Sequence, residues 1–174
     1  MSYRKTILRY LSGIPALFML LLIFNFSTQD GPSSGSLSYK VGCILVSFAD
    51  GLFSLGLSDA EIAERALSGQ LIIRKLAHIT EYFVLTLSFY LPLRVWLPYK
   101  EVSIEGKHYI YRLLLPAFLL SLFSAAADEF HQYFVPGRCG TPTDVLVDSI
   151  GIVLGSITLF ICHRLIHKHK KPAQ

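Results

Sequence analysis

Between Asp128 and Arg138, in the stretch DEFHQYFVPGR, lie two acids, a histidine, an amide and an arginine. Carboxylates packed together can share a proton, which brings one of them toward useful general-acid strength, and a histidine beside them exchanges protons near neutral pH. A guanidinium fork in the same place suits a phosphate or a carboxylate. Two further sets repeat the theme. In RKLAHITEY, Arg74, His78 and Glu81 recur at helical spacing and share one face, with Lys75 and Tyr82 next to them. In TPTDVLVD, Asp144 and Asp148 lie four apart, just as Asp128 lies three and four residues before His131 and Gln132. No nucleophile stands out: Cys139 adjoins Gly140 in a loop without a local base, so an activated water fits better than a covalent intermediate. Two histidines and several carboxylates would also suit zinc or manganese. The H-x-x-E and D-E-x-H spacings are not HExxH, however, so a divalent metal is not favoured and the cofactor question stays open.

These groups must be positioned by a very apolar chain. Of 174 residues, 52% are hydrophobic and only 16% charged, with mean hydropathy +0.49. A soluble domain carries roughly a quarter charged residues, so this is membrane composition. Apolar runs predict spans at about 8–26, 76–96, 110–130 and 144–163. The first run is followed by no small-x-small signature and reads as an uncleaved anchor. The third is short: fifteen residues from Leu113 to Ala127 give roughly 22 Å of helix against about 30 Å of hydrocarbon. It must extend back through Tyr109 and Tyr111 or forward into Asp128–Gln132. Basic residues gather at Arg4, Lys5 and Arg9, at Arg94, Lys100, Lys107 and Arg112, and at Arg164, Lys168, Lys170 and Lys171. Four spans put all three groups on the cytoplasmic side, as the positive-inside bias requires. The net charge of +4 therefore reports orientation, and no basic-aromatic stripe outside the spans speaks for nucleic acid.

The segment between the first two spans then lies outside. Residues 40–57 read as an amphipathic or partly re-entrant helix, and DAEIAERALSG as a short helix with a Ser58–Glu61 capping box, closed by Gly69. Thr141, Pro142 and Asp144 open the last span as cap, first position and third position. Gly151 and Gly155 predict close helix packing. Cys43, Cys139 and Cys162 form no CxxC pair, which excludes a zinc ribbon or thioredoxin-type site, and they read as small buried apolar residues. The fold class is an all-α membrane protein: a single domain over residues 1–174, a four-transmembrane-helix bundle with short amphipathic helices on the outer face between spans 1 and 2.

On this topology three helices deliver ionisable groups to one depth, the outer edge of the bilayer. Charges there are expensive and normally face a bundle interior or a water-filled cavity. One reading is scaffolding, with Asp144 as a capping acid, Arg138 paired with Asp128, and Lys75 snorkelling. The charge count favours a site. Glu81, Asp128, Glu129, Asp144 and Asp148 outnumber the fixed cations Arg74, Lys75 and Arg138, so a proton, a cation or a cationic ligand is needed.

RKLAHITEYFVLTL, DEFHQYFVPGR and TDVLVDSIGIVLG, in this order, resemble the VanZ-like membrane proteins across nearly the whole chain, and FNFSTQDGPSSGSLS after the first span fits as well. The resemblance covers Arg74, Lys75, His78, Glu81, Tyr82, Asp128, Glu129, His131, Gln132, Arg138, Asp144 and Gly151. It departs at Asp148, where that family commonly has a neutral asparagine. It implies a protein of the bacterial cell membrane, from a family whose name-giving member is associated with teicoplanin resistance. The reading that follows is an outward-facing polar pocket for a membrane lipid or a lipid-linked envelope precursor. In an enzymatic form it hydrolyses or transfers the headgroup, with Glu81 or Glu129 as acid or base, His78 or His131 as proton partner, and Arg74 and Arg138 on an anionic headgroup. Asp128 belongs to the same acid–base set; Lys75, Tyr82, Gln132, Asp144 and Asp148 complete the ligand contacts. The alternative is a non-catalytic protein that senses or sequesters a lipopeptide or lipid with the same residues.

Overall fold

A computed structural model of the chain describes residues 3–97 and 106–168. Lys100, Lys170 and Lys171 lie outside the described residues, as do the side chains of Arg4, Lys5, Lys107 and Lys168. The described chain is helical, with no strand: α1 (Tyr3–Leu11), α2 (Ile14–Ser27), α3 (Gly31–Phe53), α4 (Asp59–Trp96), α5 (Gly106–Gln132) and α6 (Pro142–Lys168). Five stretches are long and apolar enough to cross a membrane: Thr6–Ser27, Gly31–Phe53, Asp59–Trp96, Tyr109–Gln132 and Pro142–Leu165. That is one more than the four spans expected from the sequence. Their outer faces carry exposed Leu17, Phe18, Leu21, Leu115, Leu119, Phe123, Leu154 and Ile157, an apolar girdle that belongs in lipid.

The segment expected to hold short outer-face helices forms instead one 23-residue helix, α3, and the first turns of α4. Asp30 caps α3: its carboxylate accepts from the Ser33 N–H at 2.8 Å, and hydrogen bonding by Ser33, side chain first, holds that carboxyl below its usual range. The buried face of α3 is small and polar, with Ser34, Ser38 and Gly42 turned inward. A Cβ on Gly42 would lie 3.2 Å from Ala66, so α3 and the first half of α4 touch nearly backbone to backbone.

The capping box is present as expected, with Ser58 N–H donating to Glu61 at 2.9 Å, but Gly69 does not close the helix. α4 runs on through it for 38 residues, about 57 Å at 1.5 Å per residue. Its two halves do different work: the first pairs with α3, and the second, from His78 to Trp96, enters a bundle with α2, α5 and α6. There α6 lies parallel to α4, since Gly151 meets Ile79 and Gly155 meets Phe83. A methyl group at Gly151 would collide with the Ile79 carbonyl, and one at Gly155 would sit 3.0 Å from the Phe83 carbonyl. The predicted close packing is what these glycines permit. α5 runs antiparallel to α4, and the two share a buried polar contact in which the Thr86 hydroxyl lies 3.0 Å from Ser121 Oγ. Ile23, Tyr82, Leu85, Ala125 and Ile152 form the core, one residue or two from each of α2, α4, α5 and α6.

α5 extends both backward and forward from its apolar centre, so Asp128–Gln132 are its last helical turn. At the opposite end of the bundle, Trp96 Nε1 donates to the Arg9 carbonyl at 3.3 Å with the Arg9 guanidinium 5.5 Å above the indole. Aromatic and basic residues together are an interfacial arrangement. The cysteines are free, and Cys139 and Cys162 are exposed rather than buried. Cys162 falls on the outer face of α6 and Cys139 on the α5–α6 loop, where no core exists to cover it.

Candidate functional site

The end of the bundle opposite Trp96 carries the charged layer, and it has two sides. On the α2 side the layer is closed by hydrogen bonds. Arg138, in the loop between α5 and α6, donates from Nε to the Gln29 carbonyl at 3.1 Å and from Nη2 to the Phe26 carbonyl at 2.9 Å. Phe26 is in the last turn of α2, its carbonyl also accepting from the Gln29 N–H at 3.3 Å, and Gln29 lies two residues past the helix; a cation is favoured at this end. Arg138 Nη1 donates to Gln132 Oε1 at 3.2 Å, and Gln132 Nε2 donates to Asp128 Oδ2 at 2.8 Å. Arg138 is therefore joined to Asp128 through an amide, not as the direct pair expected. Burial and then the nearby Arg74 pull its pKa below the ordinary guanidinium value. His131 also belongs to this side: its Nδ1 lies 3.2 Å from Ser27 Oγ and its ring 5.1 Å from that of Phe24.

The loop that carries Arg138 is held by steric fit as well. Gly137 adopts φ +72°, a left-handed conformation that glycine takes without strain, and a Cβ on Gly31 would collide with the Gly137 carbonyl. Gly31 N–H donates to the Pro136 carbonyl at 3.0 Å, tying the start of α3 to the loop. The Pro-Gly pair in VPGR is the sequence signal for this turn.

On the α4–α6 side the layer opens into a cavity of about 400 Å³, within the range of small-molecule sites. Eight of the twelve residues singled out from the sequence line it: Arg74, Lys75, His78, Glu129, Gln132, Arg138, Asp144 and Asp148. Glu81, Tyr82, Asp128 and His131 are not among its lining residues. Glu81 stands behind His78, its Oε2 3.8 Å from His78 Nδ1. Tyr82 is fully buried in the core below, and Asp128 is buried under Gln132. Gly137, Cys139, Thr141, Thr143 and Val147 complete the wall. Of these, Thr141 was legible only as a cap. Gly137 was legible as part of a turn and Cys139 as a thiol without a base, while nothing in their types marks Thr143 and Val147, on the α6 face beside Asp144.

The wall grades from wet to dry. Lys75 is largely exposed and reaches Asp144 at 3.7 Å, a surface pair of little energetic weight. Thr141 caps α6 as expected, its Oγ1 accepting from the Asp144 N–H at 3.3 Å and donating to the Asp144 carboxylate at 2.8 Å. Glu129 is buried and accepts from the Thr141 N–H at 3.1 Å through Oε2. At the floor Asp148 is 1% exposed, with Oδ1 3.8 Å from His78 Nδ1. That separation is too long for a hydrogen bond. Among the described residues, His78 Nδ1, Asp148 Oδ2 and, deeper, Tyr82 Oη find no hydrogen-bond partner. Buried polar atoms are nearly always satisfied, and exceptions mark sites that something else completes. Among the described residues no three of His, Cys, Asp and Glu come together as a metal-binding set. What the arrangement offers is cationic contacts at the rim, acceptors at the floor, and a carboxylate–imidazole pair between which a proton can be held.

No curated protein and no solved structure matches the chain. The family model described as VanZ/LLP1 matches residues 13–163, a stretch that includes α2 to α5, most of α6 and every residue of the charged layer. The chain belongs to the VanZ/LLP1 family.

Proposed function

We propose that this protein binds the polar headgroup of a lipid-linked molecule of the bacterial cell envelope in the cavity between α4, α6 and the α5–α6 loop. The observation that carries the reading is the contrast within one cavity: basic side chains at an accessible rim, and at its floor a carboxylate oxygen and an imidazole nitrogen with no hydrogen-bond partner among the described residues. A membrane amphiphile offers a charged or hydrogen-bonding head at the depth where this layer lies and leaves its tails in the lipid around the girdle. Orientation completes the proposal. In this proposal α3 and the first part of α4 are a hairpin that does not cross the membrane, so four spans remain, both termini face the cytoplasm with the basic segments, and the cavity faces out.

A catalytic form of the same reading is favoured by one feature. Glu129 is fixed through one oxygen by Thr141, which leaves the other free of any side-chain duty. In hydrolysis of a headgroup ester it takes a proton from water as the water oxygen bonds to the ester centre. His78 returns a proton to the departing oxygen, and Arg74 holds the anionic charge.

The test uses purified full-length protein in nanodiscs with isoprenoid-linked phosphate lipids. Saturable binding that falls at least tenfold in Arg74→Gln, about one charge-assisted hydrogen bond's worth, supports the reading; equal binding by both proteins contradicts it. Release of a cleaved headgroup, lost in Glu129→Gln, adds catalysis. Orientation is read separately. A variant keeping only Cys139, exposed on the loop, should react with an impermeant thiol reagent added outside intact cells. Reaction only after the cells are opened would place the cavity in the cytoplasm.

A further inference from the structure

We infer that the floor of the cavity is a subsite for a primary ammonium group, so that the headgroup taken is zwitterionic, with amine down and phosphate at the rim. The inference rests on the reading of the cavity as a headgroup site and adds to it the class of headgroup.

Three observations carry it. First, Asp148 is buried to 1% exposure, lines the cavity, and leaves Oδ2 without a partner. An uncompensated buried carboxylate is costly, and the cost is removed by an opposite charge that also donates hydrogen bonds. Second, two of the layer's three fixed cations are committed elsewhere, and the third, Arg74, stands at the rim. Arg138 gives three donors to the Phe26 and Gln29 carbonyls and to Gln132, and Lys75 stands at the surface against Asp144. The five acids of the layer exceed its three fixed cations by two, and among the described residues Asp148 has no Arg or Lys paired with it. Water would satisfy the lone pairs but not the charge. Third, the rim has the opposite character. Arg74 lines the same cavity four residues before His78 on α4, an axial rise of about 6 Å. A phosphate and an amine joined by two carbons span a similar length.

The geometry also selects among cations. An ammonium carries three N–H donors, enough for Asp148 Oδ2 and for His78 Nδ1 when the imidazole proton is on Nε2. A trimethylammonium has no donor and would leave both atoms unsatisfied. A headgroup with no cation would set its own negative charge against Asp148.

The experiment compares short-chain phosphatidylethanolamine, its stepwise N-methylated forms up to phosphatidylcholine, and phosphatidylglycerol, titrated against the full-length protein in detergent and followed by native mass spectrometry. Phosphatidylethanolamine is expected to bind at least about tenfold more tightly than phosphatidylcholine or phosphatidylglycerol, the difference one or two charge-assisted hydrogen bonds make. Affinity should fall with each methyl group. Asp148→Asn should erase the preference by weakening phosphatidylethanolamine alone, whereas Arg74→Gln should weaken phosphatidylethanolamine and phosphatidylglycerol together. The methylation series needs no variant and stands even if Asp148→Asn fails to fold. Equal binding of all three lipids, or a preference that Asp148→Asn leaves intact, overturns the ammonium subsite while the headgroup reading survives. Absence of saturable binding by any of these lipids and by the isoprenoid phosphates overturns both.

Discussion

The two sides of the charged layer are built from the same residue types and end in opposite states. Toward α2, Arg138, Gln132 and Asp128 form an unbroken chain of hydrogen bonds that finishes on the carbonyls of Phe26 and Gln29. Toward α6, His78 and Asp148 approach to 3.8 Å and stop, and Tyr82 below them donates to nothing. Burial does not explain the difference, because Asp128 at 8% and Asp148 at 1% exposure are both enclosed. The difference is whether partners come from the protein. Where they do, the charges hold helices in place; where they do not, the cavity has room for another molecule. Charge clusters in membrane proteins can thus be sorted by the satisfaction of each atom rather than by the number of charges.

The comparison makes predictions that fall in order of size. Arg138→Gln should be the most damaging, because it strips the end of α2 and breaks the link to Asp128. A loss of about 3 kcal/mol is expected, visible as a large fall in melting temperature. Arg138→Lys should not restore it, since an ammonium cannot reach two carbonyls and an amide in the guanidinium's planar fork. A melting temperature unchanged in both variants would mean the α2 side is not scaffolding.

Gly151→Ala presses α6 away from the Ile79 carbonyl. It should cost about 1–3 kcal/mol by overpacking, and it widens the gap between His78 and Asp148, so binding should suffer as well. A substitution tolerated in both assays would show that the α4–α6 spacing does not shape the cavity. Tyr82→Phe works in the other direction. Removing a buried hydroxyl that has no partner should leave stability unchanged or raise it by about 1 kcal/mol. A clear loss would reveal a partner for that hydroxyl. The smallest effect belongs to Lys75→Gln, whose surface pair with Asp144 should contribute less than about 0.5 kcal/mol to the melt.

Much of this arrangement was legible in the residues. The three- and four-residue spacing of Arg74, His78 and Glu81, and of Asp144 and Asp148, places them on helix faces, and the apolar runs fix the depth at which those faces meet. Gly151 and Gly155 announced a tight helix contact, though not that its partner is α4. The helix hairpin was less visible. α3 buries Ser34, Ser38 and Gly42 rather than leucines, so its apolar pattern is weak where its packing is closest. Gly69 reads as a stop, yet a glycine inside a helix costs only about 1 kcal/mol against alanine, which the contacts of a 38-residue helix override. The state of each charge was not legible at all. Nothing in the types of Arg138 and Asp148 says that one will find three acceptors and the other leave an oxygen without a donor, because that depends on where the carbonyls of α2 end.

The most direct test of the central claim, that the α4–α6 side is a site and not a failed ion pair, is to measure melting and headgroup binding together for Asp148→Asn. The amide keeps the shape and removes a buried charge whose Oδ2 has no hydrogen-bond partner among the described residues. The melting temperature should hold or rise, because a buried ion that is not compensated destabilises the fold, while binding of the amine-bearing lipid falls at least about tenfold. A melting temperature that drops as far as in Arg138→Gln, with binding unchanged, would make Asp148 part of the scaffold and contradict the account.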